Sequence, residues 1–158
     1  MKMKSVKMIL GLVLVLMMWL SLIFINVSVG YAAATRYEAE NASTNGTVYA
    51  RSAASAGKAV GGLDWSGKYV QYTVNASSAG IYKVTIGFGT DRATSSTRSI
   101  YVNGAHSMDV TFPGMGSLNT FQGHKEIYVG FNAGNNTFKV QTDPGDAATA
   151  TIELDYID

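Results

Sequence analysis

Short segments of alternating apolar and polar residues, separated by turn-forming clusters, constrain the fold of this 158-residue chain more than any other feature. Residues 81–88 are typical, because every second side chain is apolar and would lie on one face of a strand. Asn103-Gly104 stands between residues 99–102 and 107–112, which have the same character, and this dipeptide is a strong hairpin signal. Further segments of this kind are residues 68–74, 126–131, 136–142 and 149–157. The pattern predicts an all-β single domain, a β-sandwich, and favours a jelly roll.

The first 34 residues have a different character. Lys2, Lys4 and Lys7 precede an apolar stretch over residues 8–25, and Ala32-Ala33-Ala34 has the small side chains of a cleavage site. We predict a signal peptide over 1–34, cleaved after Ala34, and a secreted domain over 35–158 that has no membrane association after cleavage. An uncleaved membrane anchor is the alternative interpretation of the apolar stretch.

The composition of residues 35–158 excludes several classes of function. Nine basic residues stand against eleven acidic ones, so the net charge is near −2 and the basic surface that nucleic acid requires is missing. The sequence has no cysteine, which excludes thiol catalysis and disulfides. A structural metal becomes more plausible in an exported domain without disulfides.

Two pairs of acidic residues lie at the ends of the predicted domain, Glu38 with Glu40 and Glu153 with Asp155. Residues two apart in a strand project from the same face, and the first and last strands of sandwiches often pair. Carboxylates from both ends would then meet, and Ca²⁺, which takes about six to eight oxygen ligands, would suit them. Spacing alone leaves open the alternative that they are solvated charges on a sheet edge.

Carboxylate pairs also occur in glycoside hydrolases, which need two carboxyl groups about 5 to 10 Å apart. A domain this small, with few aromatic residues for a substrate cleft, is a poor hydrolase scaffold. His106 and His124 lack metal-ligand spacing, and the sequence contains no nucleophile elbow, phosphate loop or dinucleotide fingerprint. We therefore predict no catalytic residue and no enzyme activity.

An ordered series of short motifs runs through residues 35–158. It comprises Tyr37-Glu38-Ala39-Glu40-Asn41-Ala42, Val60-Gly61-Gly62-Leu63-Asp64, Tyr69-Val70-Gln71-Tyr72-Thr73-Val74, Ala79-Gly80-Ile81-Tyr82, Tyr101-Val102-Asn103-Gly104, Phe112-Pro113-Gly114, Asn132-Ala133-Gly134-Asn135-Asn136-Thr137 and Leu154-Asp155-Tyr156-Ile157. In this order the motifs resemble those of the carbohydrate-binding modules of families 6 and 35. Each motif alone is weak, but the ordered set is specific enough to identify the resemblance.

This resemblance implies a jelly roll with a structural calcium ion where the two chain ends meet. Carried over by position, the side-chain ligands would be Glu38, Glu40 and Asp155, and a backbone carbonyl near Lys58 would be a further ligand. The ion would clamp the terminal strands, which otherwise fray, and would take no part in chemistry.

The resemblance also implies sugar binding by loops at one end of the sandwich. Trp65 is the leading candidate for an aromatic ring that stacks on a sugar, and a Trp that caps the edge of the core is the alternative. Phe121 lies where the family usually has Trp, and Glu153 lies where it often has a ligand-binding Asn. The other candidate ligand-binding residues are Asp91, Arg92 and Tyr49.

The sequence therefore predicts a calcium-stabilised, secreted module that binds a polysaccharide or oligosaccharide without catalysis. A glycoside hydrolase in trans is a candidate partner. Two alternatives remain open: a structural or adhesive surface sandwich without a sugar site, and a small glycosidase or polysaccharide lyase.

Overall fold

The computed structural model describes residues 33–146 and 151–158. Ala34–Asp158 form one compact unit. The predicted signal peptide, apart from Ala33 and Ala34, lies outside the described residues. Within those residues, we find no helix with the length and apolar character needed to span a bilayer.

The described residues form two antiparallel sheets. Their strands are β1 (Tyr37–Glu38), β2 (Ser43–Thr44), β3 (Thr47–Ala50), β4 (Lys58–Gly61), β5 (Tyr69–Ala76), β6 (Gly80–Thr90), β7 (Ser96–Val102), β8 (Ala105–Phe112), β9 (Gly123–Phe131), β10 (Gly134–Gln141) and β11 (Ile152–Ile157). Sheet A has the order β3-β4-β11-β6-β9, and β1 also pairs with β11. Sheet B has the order β2-β5-β10-β7-β8. This arrangement confirms the predicted all-β jelly-roll β-sandwich.

The alternating segments of the sequence form the central strands as predicted. Asn103 and Gly104 have φ values of 52° and 81°, and they form the tight turn of the β7–β8 hairpin. The core lies between the sheets, where Phe88 of β6 and Phe112 of β8 meet edge to face with ring centroids 5.0 Å apart. Alternation thus places one apolar face of each sheet against the other.

The strand that the spacing of Glu38 and Glu40 predicted ends at Glu38, so the prediction is wrong for Glu40. A 3₁₀ turn at Ala39–Asn41 follows β1, and the amide of Ala42 donates to the carbonyl of Ala39 at 3.1 Å. The turn carries the chain from β1 in sheet A to β2 in sheet B, while Ala39 is fully buried. The spacing argument assumed that Glu38 and Glu40 lie on the same face of one strand, and the turn shows that they do not.

Three strands, β2, β3 and β4, were not predicted. The first two are short and mostly exposed, so they lack the alternation that reveals a strand. β4 pairs with β3 and with the last strand, β11. Residues 51–57 form the loop between β3 and β4.

Candidate functional site

Four loops converge at one end of the sandwich, and we call them the loop end: residues 62–68, 91–95, 113–122 and 142–146. The amide of Gly67 donates to the carbonyl of Thr142 at 2.8 Å, which joins the first loop to the fourth. The amide of Gly116 donates to the carbonyl of Arg92 at 2.9 Å, which joins the third to the second. These hydrogen bonds bring side chains from distant parts of the sequence onto one surface.

Trp65 is the most exposed aromatic side chain at the loop end. It lies in a turn closed by the amide of Lys68, which donates to the Trp65 carbonyl at 3.0 Å, and 74% of its surface is exposed. The alternative that Trp65 caps the core is wrong, because a ring so exposed is not part of the buried cluster. The ring is therefore available for stacking.

Asp64, beside Trp65, was not predicted as a functional residue. Its Oδ1 atom is inaccessible to solvent and has no hydrogen-bond partner in the described part of the chain. This atom lies 3.7 Å from Nη2 of Arg98, whose side chain is 1% exposed. Burial raises the pKa of the Asp64 carboxyl, the charge of Arg98 lowers it, and Asp91 and Glu153 raise it further. Asp64 thus lies in the field of carboxylates from two other segments.

Glu153 on β11 is almost completely buried and makes a two-point ion pair. Nε and Nη2 of Arg51 donate to its two carboxylate oxygens at 2.6 and 2.5 Å. The Arg51 guanidinium also lies 5.1 Å from the centre of the Tyr49 ring, which is 37% exposed. A Cβ atom on Gly61 would lie 2.8 Å from Cγ of Glu153, so glycine is needed there for this packing. The structure brings the candidates Glu153 and Tyr49 together and adds Arg51 to them.

Phe121 is buried, with 6% of its surface exposed. Its ring packs with Ala54 and Ala59. A Cβ atom added to Gly89 would lie 3.1 Å from Cδ1 of this ring, so the glycine leaves the space that the ring occupies. The ring therefore fills a small second core and is not presented to a ligand. Leu118 packs against the same group.

Asp91 and Arg92 lie in an exposed loop. Their side chains are 43% and 61% exposed, and Nε of Arg92 lies 3.6 Å from Oδ1 of Asp91. The neighbouring third loop approaches closely, because a Cβ atom on Gly114 would lie 2.2 Å from the backbone carbon of Ala93. The structure places both candidates at the loop end without fixing them in a buried network.

The terminal carboxylates meet near Ser55. Its hydroxyl lies 2.5 Å from Oε2 of Glu38 and 3.0 Å from Oδ1 of Asp155, and its amide also donates to Asp155 at 3.0 Å. Burial raises the pKa of Asp155, while the hydrogen bonds from Ser55 lower it. The meeting of the two chain ends, which the spacing suggested, is present for Glu38 and Asp155.

Glu40 and Tyr72 complete this region. In the described part of the chain, Oε2 of Glu40 and the Tyr72 hydroxyl are both buried without a hydrogen-bond partner. Burial raises the pKa of Tyr72, and Asp155, Glu38 and Glu40 raise it further, so the three carboxylates act on one phenol. Lys58 has an exposed side chain and begins β4 opposite Ala50.

The oxygen atoms of this region are of the kind that binds Ca²⁺. They are carboxylate oxygens, and one hydroxyl proton of Ser55 cannot satisfy Glu38 and Asp155 equally. In residues 33–146 and 151–158, however, no three His, Cys, Asp or Glu side chains form a ready metal centre.

A polar groove of about 560 Å³ lies on the outer face of sheet B. It is lined by Thr97, Ser99, His106, Asp109, Asp143, Pro144, Gly145 and Asp146. Tyr101 and Gln141 each donate to Asp143 at 2.5 Å, and His106 lies 2.8 Å from Asp109. Its carboxylates are thus already hydrogen-bonded to neighbours in the fold.

The sequence matches the family described as carbohydrate binding module (family 35) over residues 35–157. One solved structure with the same fold is a family 35 carbohydrate binding module from Clostridium thermocellum. It is 28% identical with a TM-score of 0.69, and the match covers 78% of this chain and 96% of that one.

Two longer proteins contain a similar region. An exo-beta-1,3-galactanase from Phanerochaete chrysosporium, solved with beta-1,3-galactotriose, is 29% identical with a TM-score of 0.69, over 80% of this chain and 29% of that one. A 1,6-alpha-glucosyltransferase from Sporosarcina globispora is 32% identical over 138 residues, which are 81% of this chain. The present chain spans about a tenth of the length of that curated relative, the match covering 10% of it.

Proposed function

The chain belongs to the family 35 carbohydrate-binding modules, and we propose that it binds polysaccharide or oligosaccharide chains at the loop end, without catalysis. The single observation that carries this proposal is the ring of Trp65, which is 74% exposed at the loop end. An aromatic face stacks on the C–H groups of a sugar ring, and carboxylates accept hydrogen bonds from its hydroxyls. Asp91 and Arg92 supply further exposed groups there. The half-exposed Tyr49 lies outside these four loops, on β3.

A non-catalytic role is supported by the state of the candidate carboxylates. Glu153 is held by Arg51 and Asp155 is held by Ser55, and each of these two carboxylates is 2% exposed. A glycosidase needs one carboxyl group as acid and another as base or nucleophile at an open cleft. Buried and paired carboxylates suit a structural role better.

We also propose that the protein is secreted and that a calcium ion stabilises it. Glu38, Glu40, Asp155 and the backbone carbonyl of Lys58 would hold the ion. The unpartnered Glu40 oxygen and the shared Ser55 hydroxyl support this assignment. A carbohydrate-active enzyme, either in trans or in a longer chain, would be the partner that the module brings to its substrate.

Replacing Trp65 with Ala tests the sugar site. We expect the variant to lose about tenfold or more in affinity for every glycan that the wild type binds, because it loses the stacking platform. The measurement is retention on a panel of soluble and insoluble glycans in affinity gels, followed by calorimetric titration.

Tyr128→Ala is the matched control for this prediction. Tyr128 is also an exposed aromatic residue, at 64%, but it lies on β9 opposite Lys83 and away from the loop end. We expect its affinity to stay within about twofold of the wild type, as is usual for a substitution outside the site. If the wild type is retained on no glycan, or both variants bind equally, the proposed site is wrong.

A further inference from the structure

We propose that Asp64 is a positioning residue for Trp65. It fixes the turn that presents the ring, and the affinity for sugar depends on it without any contact between Asp64 and the sugar. The inference rests on the proposed function, because it names a residue on which the same site depends. It follows from the contacts that hold residues 62–68 on both sides of Trp65.

The loop over residues 62–68 is held at three points by one buried residue, Thr142. Its hydroxyl donates to the carbonyl of Leu63, its carbonyl accepts from the amide of Gly67 at 2.8 Å, and its amide donates to the carbonyl of Lys68 at 2.9 Å. Thr142 is 1% exposed, so water has little access to these hydrogen bonds. The loop is therefore fixed both before and after Trp65.

Asp64 fixes the residue directly before Trp65. Its carboxylate accepts a hydrogen bond from the backbone of Ile152, the first residue of β11 in sheet A. Its Oδ1 atom, which is inaccessible to solvent, lies 3.7 Å from Nη2 of Arg98 on β7 in sheet B. One side chain thus ties the start of the Trp65 turn to both sheets.

Arg98 is itself held in place, so it is a fixed partner for Asp64. Its side chain is 1% exposed, and its Nη1 donates to the hydroxyl of Ser96 and to the carbonyl of Thr97, at 2.7 Å for the latter. Burial lowers the pKa of Arg98, and the charges of Asp64 and Asp146 raise it. A buried cation needs such partners, because an unpaired charge in the interior is costly. The pairing therefore holds the Asp64 carboxylate toward the interior.

A turn that is already ordered favours binding, because a flexible turn would have to be ordered at the expense of affinity. The side chain of Trp65 is 74% exposed although the backbone on either side of it is fixed. The ring can therefore meet the face of a sugar without rearrangement of the loop. Asp64 contributes through its contacts with the fold, at Ile152 and Arg98, and not through a contact with the ligand.

The variant Asp64→Ala tests the inference on the whole protein. It loses both the acceptor for Ile152 and the partner of Arg98, so we expect the turn to loosen and the affinity for a glycan that the wild type binds to fall about tenfold. NMR relaxation measures the backbone order parameters of Trp65 and Ser66, which should fall from about 0.85 in the wild type to below about 0.6 in the variant. Calorimetric titration measures the affinity.

Two further variants distinguish positioning from a general loss of stability. Asp64→Asn keeps an acceptor for Ile152 but loses the charge that faces Arg98, so it should keep the turn ordered and lose only about threefold in affinity. Val84→Ala removes two buried carbon atoms from the middle of β6, away from the loop end, so it lowers the stability without altering the turn. We expect its order parameters to match those of the wild type and its affinity to stay within about twofold.

Several outcomes would overturn the inference. A Trp65 turn that is already flexible in the wild type would do so without any variant, even if Asp64→Ala fails to fold. An ordered turn in a folded Asp64→Ala protein would also do so, and a loss of affinity in that protein would indicate direct contact between Asp64 and the sugar. A loosened turn with an affinity within about twofold of the wild type would remove the link to binding. A wild type that binds no glycan would refute the proposed function and the inference together, whereas a flexible turn in a protein that is retained on a glycan would leave the proposed function standing.

Discussion

Adding a calcium chelator should lower the melting temperature of the protein by about 10 °C. A ligand at about a hundred times its dissociation constant stabilises the folded state by about 2.7 kcal/mol. In a domain of this size, about 1 kcal/mol corresponds to a few degrees. The measurement is thermal unfolding by circular dichroism in millimolar calcium and in excess chelator.

The physical reason is the convergence of the chain ends. Strand β1 pairs with β11 at only two positions, Tyr37 with Ile157 and Glu38 with Tyr156. Without a cation, Glu38 and Asp155 repel each other across the Ser55 hydroxyl. A calcium ion would turn this repulsion into a clamp on both terminal strands.

A double variant and a control make the result specific. Glu38→Gln with Asp155→Asn should remove the response to chelator, because the ligand charges are gone. Glu126→Gln, a surface acid that is 55% exposed, should keep the response. An equal melting temperature with and without chelator in the wild type would contradict the calcium proposal.

The sequence predicted those parts of the molecule that depend on local pattern. The alternation of residues 81–88 and the Asn103-Gly104 turn were enough to predict β6 and the β7–β8 hairpin. The strand β3 was missed because all four of its residues are exposed and show no alternation. The 3₁₀ turn after β1 was missed because it depends on the passage of the chain between the two sheets.

The sequence predicted the positions of candidate site residues, but not the residues that their side chains contact. The position of Trp65 in a loop before β5 followed from the sequence, and the structure adds its exposure. The partner of Glu153 was hidden, because Arg51 lies 102 positions away and meets it only through the order of sheet A. The burial of Phe121 was hidden for a similar reason, since Gly89 on another segment leaves the space that its ring fills.

Replacing Arg51 with Met should destabilise the protein by about 2 kcal/mol, because it leaves the carboxylate of Glu153 buried without its cation. Glu153 is 2% exposed and Arg51 is 30% exposed, so water replaces only part of the lost pairing. Met keeps an apolar chain near the Tyr49 ring, so the change removes the charge more than the packing. Chemical denaturation of the variant and the wild type measures the difference in the free energy of unfolding.

Adding Glu153→Gln to the Arg51→Met protein distinguishes the destabilisation caused by an unpaired buried charge from that caused by a lost contact. We expect the double variant to recover part of the stability, since a neutral amide costs less to bury than an unpaired carboxylate. Lys83→Met removes one cation from an exposed pair, with side chains 51% and 55% exposed, and should cost less than about 0.5 kcal/mol. If Arg51→Met were as mild as Lys83→Met, the pair would not hold Glu153 in the fold.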